Sequence, residues 1–186
     1  MTQTLSEFIA STRLADSIEH EKFIISSEQA DIRSYIRECD PQLRPRIVAK
    51  LIFLSTIGEN VAYGQMEVLT LMSQEQLSYK RIGYLAASVI LDESSELTVL
   101  ITHTILKDLQ NTANCRIQCL ALSLLANIGS AEMCQAVSTE VQKIISQATS
   151  TNHTTPPKSH DQKTKSFDIH PLLLKTAAMA SVRIIE

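Results

Sequence analysis

The polar side chains that could do chemistry together are Arg44, Arg46 and Lys50, in the run Arg44-Pro45-Arg46-Ile47-Val48-Ala49-Lys50. Arg46 and Lys50 are four apart and share one face of a helix, Arg44 stands just before it, and Pro45 suits its first turn. Cations at a helix N-terminus oppose the macrodipole, each at a cost of a few tenths of a kcal/mol unless something offsets them. An anion can do so, because unpaired N–H groups beside basic side chains make a site for a phosphate. The alternative is an ordinary solvated face, balanced by Glu38 and Asp40.

Other candidate chemistry thins out quickly. The cysteines at 39, 115, 119 and 134 have no C-x-x-C spacing. Cys115 and Cys119 share a helix face, but the nearest histidine, His103, lies one helix earlier, so small buried thiols are expected rather than a metal site. His153, His160 and His170 follow spacings of 7 and 10, which match no zinc pattern and read as solvated loop residues. There is no G-x-G-x-x-G, P-loop, G-x-S-x-G or H-E-x-x-H, and four glycines in the whole chain leave no phosphate-cradling loop. The sequence therefore predicts no catalytic residues, no metal ligands and no cofactor.

Composition says which elements must position the basic group. In 186 residues, hydrophobics make up 44% and aromatics 4%, with no Trp, which reads as an aliphatic, all-helical interior. The net charge of -3 argues against nucleic acid as a partner. No charged segment followed by an apolar core opens the chain and no apolar run reaches membrane-spanning length, so the sequence reads as cytosolic.

A capping-box pattern, Thr4-Leu5-Ser6-Glu7, opens a first helix running to about Ala15. A second is expected to bury Phe23, Ile24, Ile32, Tyr35 and Ile36. The helix after Pro45 is predicted to end near Gly58, and a short one to cover Gln65 to Met72. The next, Lys80 to Glu93, carries apolar residues at 82, 85, 86, 89 and 90, one stripe for burial. Inside it, Gly83 costs roughly 1 kcal/mol relative to Ala, which points to a second backbone close by. Helices over 97–109, with Ser94 as N-cap, over 113–128 and from Ser130 onward follow. Residues 148 to 167, almost all polar with Pro156-Pro157 in the middle, read as a disordered insertion. The helical pattern resumes at Pro171 and is still running at Glu186, which reads as a fragment of a longer chain.

The pattern repeats. Leu85-Ala86-Ala87-Ser88-Val89-Ile90 aligns with Leu120-Ala121-Leu122-Ser123-Leu124-Leu125, and Ala49 and Ala178 take the slot of Ala86 and Ala121. The spacings are 37, 35 and 57 residues, the last becoming about 37 without the insertion. A period in the mid-thirties with two helices per repeat is the mark of an α-solenoid of HEAT or armadillo type.

Val48-Ala49-Lys50-Leu51-Ile52, Tyr63-Gly64-Gln65-Met66-Glu67, Lys80-Arg81-Ile82-Gly83-Tyr84-Leu85, Leu91-Asp92-Glu93, Lys107-Asp108-Leu109 and Leu120-Ala121-Leu122, in that order, resemble the N-terminal trunk of the large adaptin subunits of clathrin adaptor complexes. The resemblance covers about Leu5 to Ile145 and resumes at Leu172, so all of 1–186 reads as one trunk segment apart from the insertion at 148–167, where the family has a short turn. Gln65 after Gly64, and Leu91-Asp92-Glu93, look like the gamma type of the trans-Golgi and endosomal adaptor. What the resemblance implies is a non-enzymatic scaffold in vesicle-mediated protein transport. It would pack against beta-type large, medium and small subunits, join clathrin through the complex, and be recruited by an Arf-family GTPase and a phosphoinositide. It would be cytoplasmic and peripheral on Golgi and endosomal membranes and coated vesicles. The family's lipid-binding group falls on Arg44, Arg46 and Lys50, with Pro45 and Ile47 at positions that are basic and aromatic in the plasma-membrane type. Replacing Arg46 and Lys50 is then expected to weaken lipid binding without affecting folding. The family's hinge and ear do not match any part of this chain. The alternatives are the large subunit of a different coat complex or a free-standing helical-repeat module that binds peptides; the latter calls for regular Asn or aromatic ladders, which are missing.

Overall fold

The computed structural model describes residues 3–38, 41–92, 97–151 and 171–185. Among them every regular element is helical: α1 (Leu5–Arg13), α2 (Ile18–Glu38), α3 (Arg44–Thr56), a 3-10 turn (Ala62–Gly64), α4 (Gln65–Ser73), α5 (Leu77–Ile90), α6 (Thr98–Leu109), α7 (Cys115–Ile128), α8 (Ala131–Thr151) and α9 (Pro171–Ile185). They fall into two compact units, Met1–Leu91 and Asp92–Glu186.

Local chemistry explains the ends. Thr4 caps α1 through its hydroxyl, which accepts from the Glu7 amide, while the Glu7 carboxylate accepts from the Thr4 amide at 2.7 Å, the reciprocal box expected there. α3 stops in a Schellman turn: the amides of Gly58 and Glu59 donate to the carbonyls of Ser55 and Leu54, and Gly58 takes a φ of 91° that a side chain would strain. α6 begins at Thr98 after Leu97, which offers no side-chain cap, and Ser94 lies outside the described residues. α7 begins at Cys115 under an Asn114 cap, two residues later than the periodicity suggests. α8 continues to Thr151, so the first four residues of the expected insertion are helical; its remainder lies outside the described residues.

In the first unit Phe8, Ile25, Ile32, Ile47, Leu51, Leu54 and Val61 form one core, with Phe8 and Phe53 edge to face at 5.4 Å. α3 packs on α4 and α5, and α4 on α5. In the second, α6 packs on α7 and α8, and α9 on α7 and α8. Contacts of each helix with the helix two places on (α3 with α5, α6 with α8, α7 with α9) are the stacking rule of a helical-repeat array, as the sequence period requires.

Two burial expectations are corrected. α2 buries Ile25, Glu28, Gln29 and Ile32, whereas Phe23 is 70% exposed. The polar pair Glu28 and Gln29 occupies the true stripe, which an apolar count passes over. α5 buries Lys80, Gly83, Tyr84, Ala86 and Ala87, leaving Leu85 and Val89 outside. The cause is Gly83, since a Cβ there would stand 2.6 Å from the Met72 amide nitrogen and 3.0 Å from the Leu71 carbonyl carbon. The expected close backbone is α4, and it draws the interface around the glycine. The repeat slot holds for Ala86 and Ala121, both fully buried; Ala49 is partly buried, and in α9 the buried alanines are Ala177 and Ala180 rather than the aligned Ala178.

Candidate functional site

Arg44, Arg46 and Lys50 lie on α3 as predicted, but the fold treats them differently. Lys50 is 3% exposed, and its Nζ donates to Glu28 Oε1 on α2. A buried ammonium must have such a partner, for desolvation of a lone ion costs several kcal/mol. Arg44, the first residue of α3, is half-buried, and its Nε donates to Glu67 Oε2 on α4 at 2.5 Å. Arg46 is exposed and has no ion-pair partner among the described residues. Arg46 and the covered Lys50 line one cavity, whereas Arg44 turns away to Glu67 on α4. Replacing Lys50 would remove a buried counter-ion, which corrects the expectation that a change at Arg46 and Lys50 leaves folding untouched.

The start of α3 also presents less of an anion nest than its sequence suggests. Pro45 brings no N–H, and the amides of Arg46 and Ile47 both donate to the Leu43 carbonyl at 3.0 Å. A cavity of about 340 Å³ opens beside it, lined by Thr4, Leu5, Tyr35, Pro45, Arg46 and Ile82 among others. Its walls are chiefly aliphatic and aromatic, with Arg46 the exposed cation on its lining.

Further polar contacts, which the apolar pattern did not predict, link α2 to the segment after α3. Gln29 Nε2 donates to Glu59 at 2.9 Å, Arg33 donates to Gln29 Oε1 at 3.3 Å, and the Arg33 guanidinium lies 4.5 Å over the Tyr63 ring. Burial pushes the Tyr63 phenol up, with Arg33 opposing. The polar pair Glu28 and Gln29 beside Ile25 and Ile32, with Arg33 one turn on at the exposed edge, was the signal available.

Elsewhere the ends of helices are held by side chains. Lys80 Nζ donates to the Met72 carbonyl at 2.8 Å, Gln118 Nε2 to the Leu109 carbonyl at 2.7 Å and Arg183 Nε to the Gly129 carbonyl at 3.2 Å. Cys119 and Cys134 are buried and Cys115 partly so, and burial pushes the Cys119 and Cys134 thiols up, away from the thiolate. Among the described residues no three His, Cys, Asp or Glu side chains gather as metal ligands, and no helix is long and apolar enough to cross a membrane. Cys39, His153, His160 and His170 lie outside the described residues.

Residues 21–152 match the model of the adaptin N terminal region. Over 143 residues the chain is 39% identical to the AP-1 complex subunit gamma-like 2 of Mus musculus, which covers 77% of this chain and 18% of that protein. It is 39% identical to the AP-1 complex subunit gamma-1 of Arabidopsis thaliana over 76% of this chain and 16% of that protein. Across all of its length it is 31% identical to the AP-1 complex subunit gamma of Dictyostelium discoideum, of which it covers 18%. The chain thus spans less than a fifth of the length of each of these curated relatives.

Proposed function

The chain belongs to the adaptin family, as an N-terminal region of the gamma type, and from that premise we propose that it is a scaffold segment of a clathrin-associated adaptor complex in vesicle-mediated protein transport. The observation that carries this reading is the span of the family match, 21–152, which runs through the helices α2 to α8 without a break. Packed helices whose polar side chains pair with one another or hold helix ends suit a part that supports other subunits rather than one that turns over a substrate. The partners of this reading are a beta-type large subunit with medium and small subunits, an Arf-family GTPase, and clathrin through the complex. Its place is peripheral, on Golgi and endosomal membranes. All of 1–186 is taken as one trunk segment interrupted by the polar stretch after α8.

Within this reading the lipid-facing group is narrower than three cations. Arg46, exposed beside the apolar cavity, is the direct contact for an acidic head group; Arg44 is an accessory one, and Lys50 supports α3 from inside. The test of the scaffold role is affinity purification of the tagged chain from its own cells with identification of what comes with it. Recovery of beta-type large, medium and small adaptor subunits is the expected result. Recovery of a different coat complex, or of none of these subunits from cells that express them, would refute the assignment.

A further inference from the structure

We propose that Glu67 is an intramolecular competitor for the anion that Arg44 would otherwise bind, so that the charge of Arg44 is held neutralised until a phosphorylated group displaces the carboxylate. The proposal rests on the lipid-facing reading of Arg44 and Arg46 and adds its regulation.

Burial separates the two ion pairs on α3. In Lys50–Glu28 the side chains are 3% and 6% exposed, so the ammonium is nearly closed to an incoming anion although Lys50 borders the cavity. In Arg44–Glu67 they are 15% and 14% exposed, which places the pair at the edge of solvent, where a competing oxyanion can approach. Glu67 engages the Nε of Arg44, and a guanidinium offers five N–H donors in a planar fork that suits a phosphate as well as a carboxylate. A phosphate monoester carries more charge and more acceptor oxygens than a carboxylate, so it can win the exchange only where the pair is accessible. Each pair cancels its own charge, so Arg46 alone of the three cations is left to act on an approaching surface. Release of Arg44 adds a second positive charge at the first turn of α3, two residues from Arg46, without any change in backbone.

The experiment measures sedimentation of the full chain with phosphatidylcholine vesicles containing a phosphatidylinositol phosphate, against phosphatidylcholine alone and against phosphatidylserine vesicles of matched charge. Glu67→Gln keeps the size of the side chain and removes its charge. It is expected to bind the phosphoinositide vesicles about fivefold more tightly than the wild type, which corresponds to about 1 kcal/mol for one more cation near an anionic surface. Adding Arg44→Ala should abolish that gain. Glu67→Ala serves as a second variant, and circular dichroism with thermal melting checks that each variant is folded. Binding by folded Glu67→Gln and Glu67→Ala that is equal to or weaker than wild type, while Arg46→Ala still weakens binding, would overturn the proposal and leave the lipid-facing reading standing; Glu67 would then merely orient Arg44. If neither Arg44→Ala nor Arg46→Ala changes binding, the underlying reading fails and the proposal with it. Soluble inositol phosphate identifies the source of the anion. If the Glu67→Gln gain appears for it as strongly as for vesicles, the competitor role is supported with a free phosphate as ligand.

Discussion

In Met1–Leu91 helices are joined by pairs of side chains: Glu28 with Lys50, Glu67 with Arg44, Gln29 with Glu59, and Arg33 over Tyr63. In Asp92–Glu186 the polar contacts that join helices include Gln118 to the Leu109 carbonyl and Arg183 to the Gly129 carbonyl, around a core of Ile101, Ile105, Leu122, Leu125 and Val137. A side chain bonded to a backbone carbonyl satisfies a helix end and has no second charge to lose. An ion pair can be broken from either side, and what is left behind is a charge. The first unit therefore carries covered ion pairs between helices whose loss leaves a charge behind; the second also buries one acid, Asp108, within a core otherwise set by volume.

The largest effect that tests this contrast is at Lys50. Lys50→Ala leaves Glu28 buried without its counter-ion, and removing one partner of a buried pair costs about 3–5 kcal/mol. Replacing both residues, Glu28→Leu with Lys50→Met, removes the orphaned charge and should restore most of that loss. Denaturant unfolding of the three proteins measures it. A double variant as unstable as Lys50→Ala would mean that the pair acts through shape and not through charge.

In the second unit the matching test is Leu122→Ala. Leu122 is fully buried, and truncating such a leucine costs about 2–5 kcal/mol through lost transfer energy and the cavity left behind. This effect should be nearly the same at neutral and at mildly acid pH, because no charge is involved. A loss that changes strongly with pH would erase the distinction between the units.

What could be read in the sequence was what depends on near neighbours in the chain. The Thr4–Glu7 box, the turn at Gly58 and the need for a close backbone at Gly83 each follow from a residue's own conformational limits, and each is present. The helical period also survives, since it reflects which residues can share a face. The basic group went differently. Arg44, Arg46 and Lys50 stand close in sequence, yet their partners Glu67 and Glu28 are 23 and 22 residues away on other helices. No local pattern tells a solvated lysine from a buried, paired one. For the same reason parts of the faces of α2 and α5 were misplaced: Glu28 and Gln29 are buried because they have partners, and Leu85 is exposed because Gly83 sets where α4 comes closest, while Ile24, Ile32, Tyr35, Ile36, Ala86 and Ile90 pack inward as expected.

The smallest effect concerns a charge of the first unit that is fully in solvent. The Glu7 carboxyl is held below its ordinary value of 4.5, first by the Thr4 backbone amide and then by the Thr4 hydroxyl. A lowered value in the folded state means that the ionised form is favoured by folding, so its contribution is present above the ordinary carboxylate range and is lost as pH falls through the folded value. Thr4→Ala removes the hydroxyl and should cost about 1 kcal/mol at neutral pH, as loss of an N-cap does. Glu7→Gln keeps an acceptor but loses the charge, so its difference from wild type should be present at neutral pH and shrink towards zero in acid. Unfolding curves for wild type and both variants over this range decide the matter. A Glu7→Gln difference that persists undiminished in strong acid would mean that the carboxylate's charge plays no part in the cap. The charge dependence of the first unit would then be confined to its covered ion pairs.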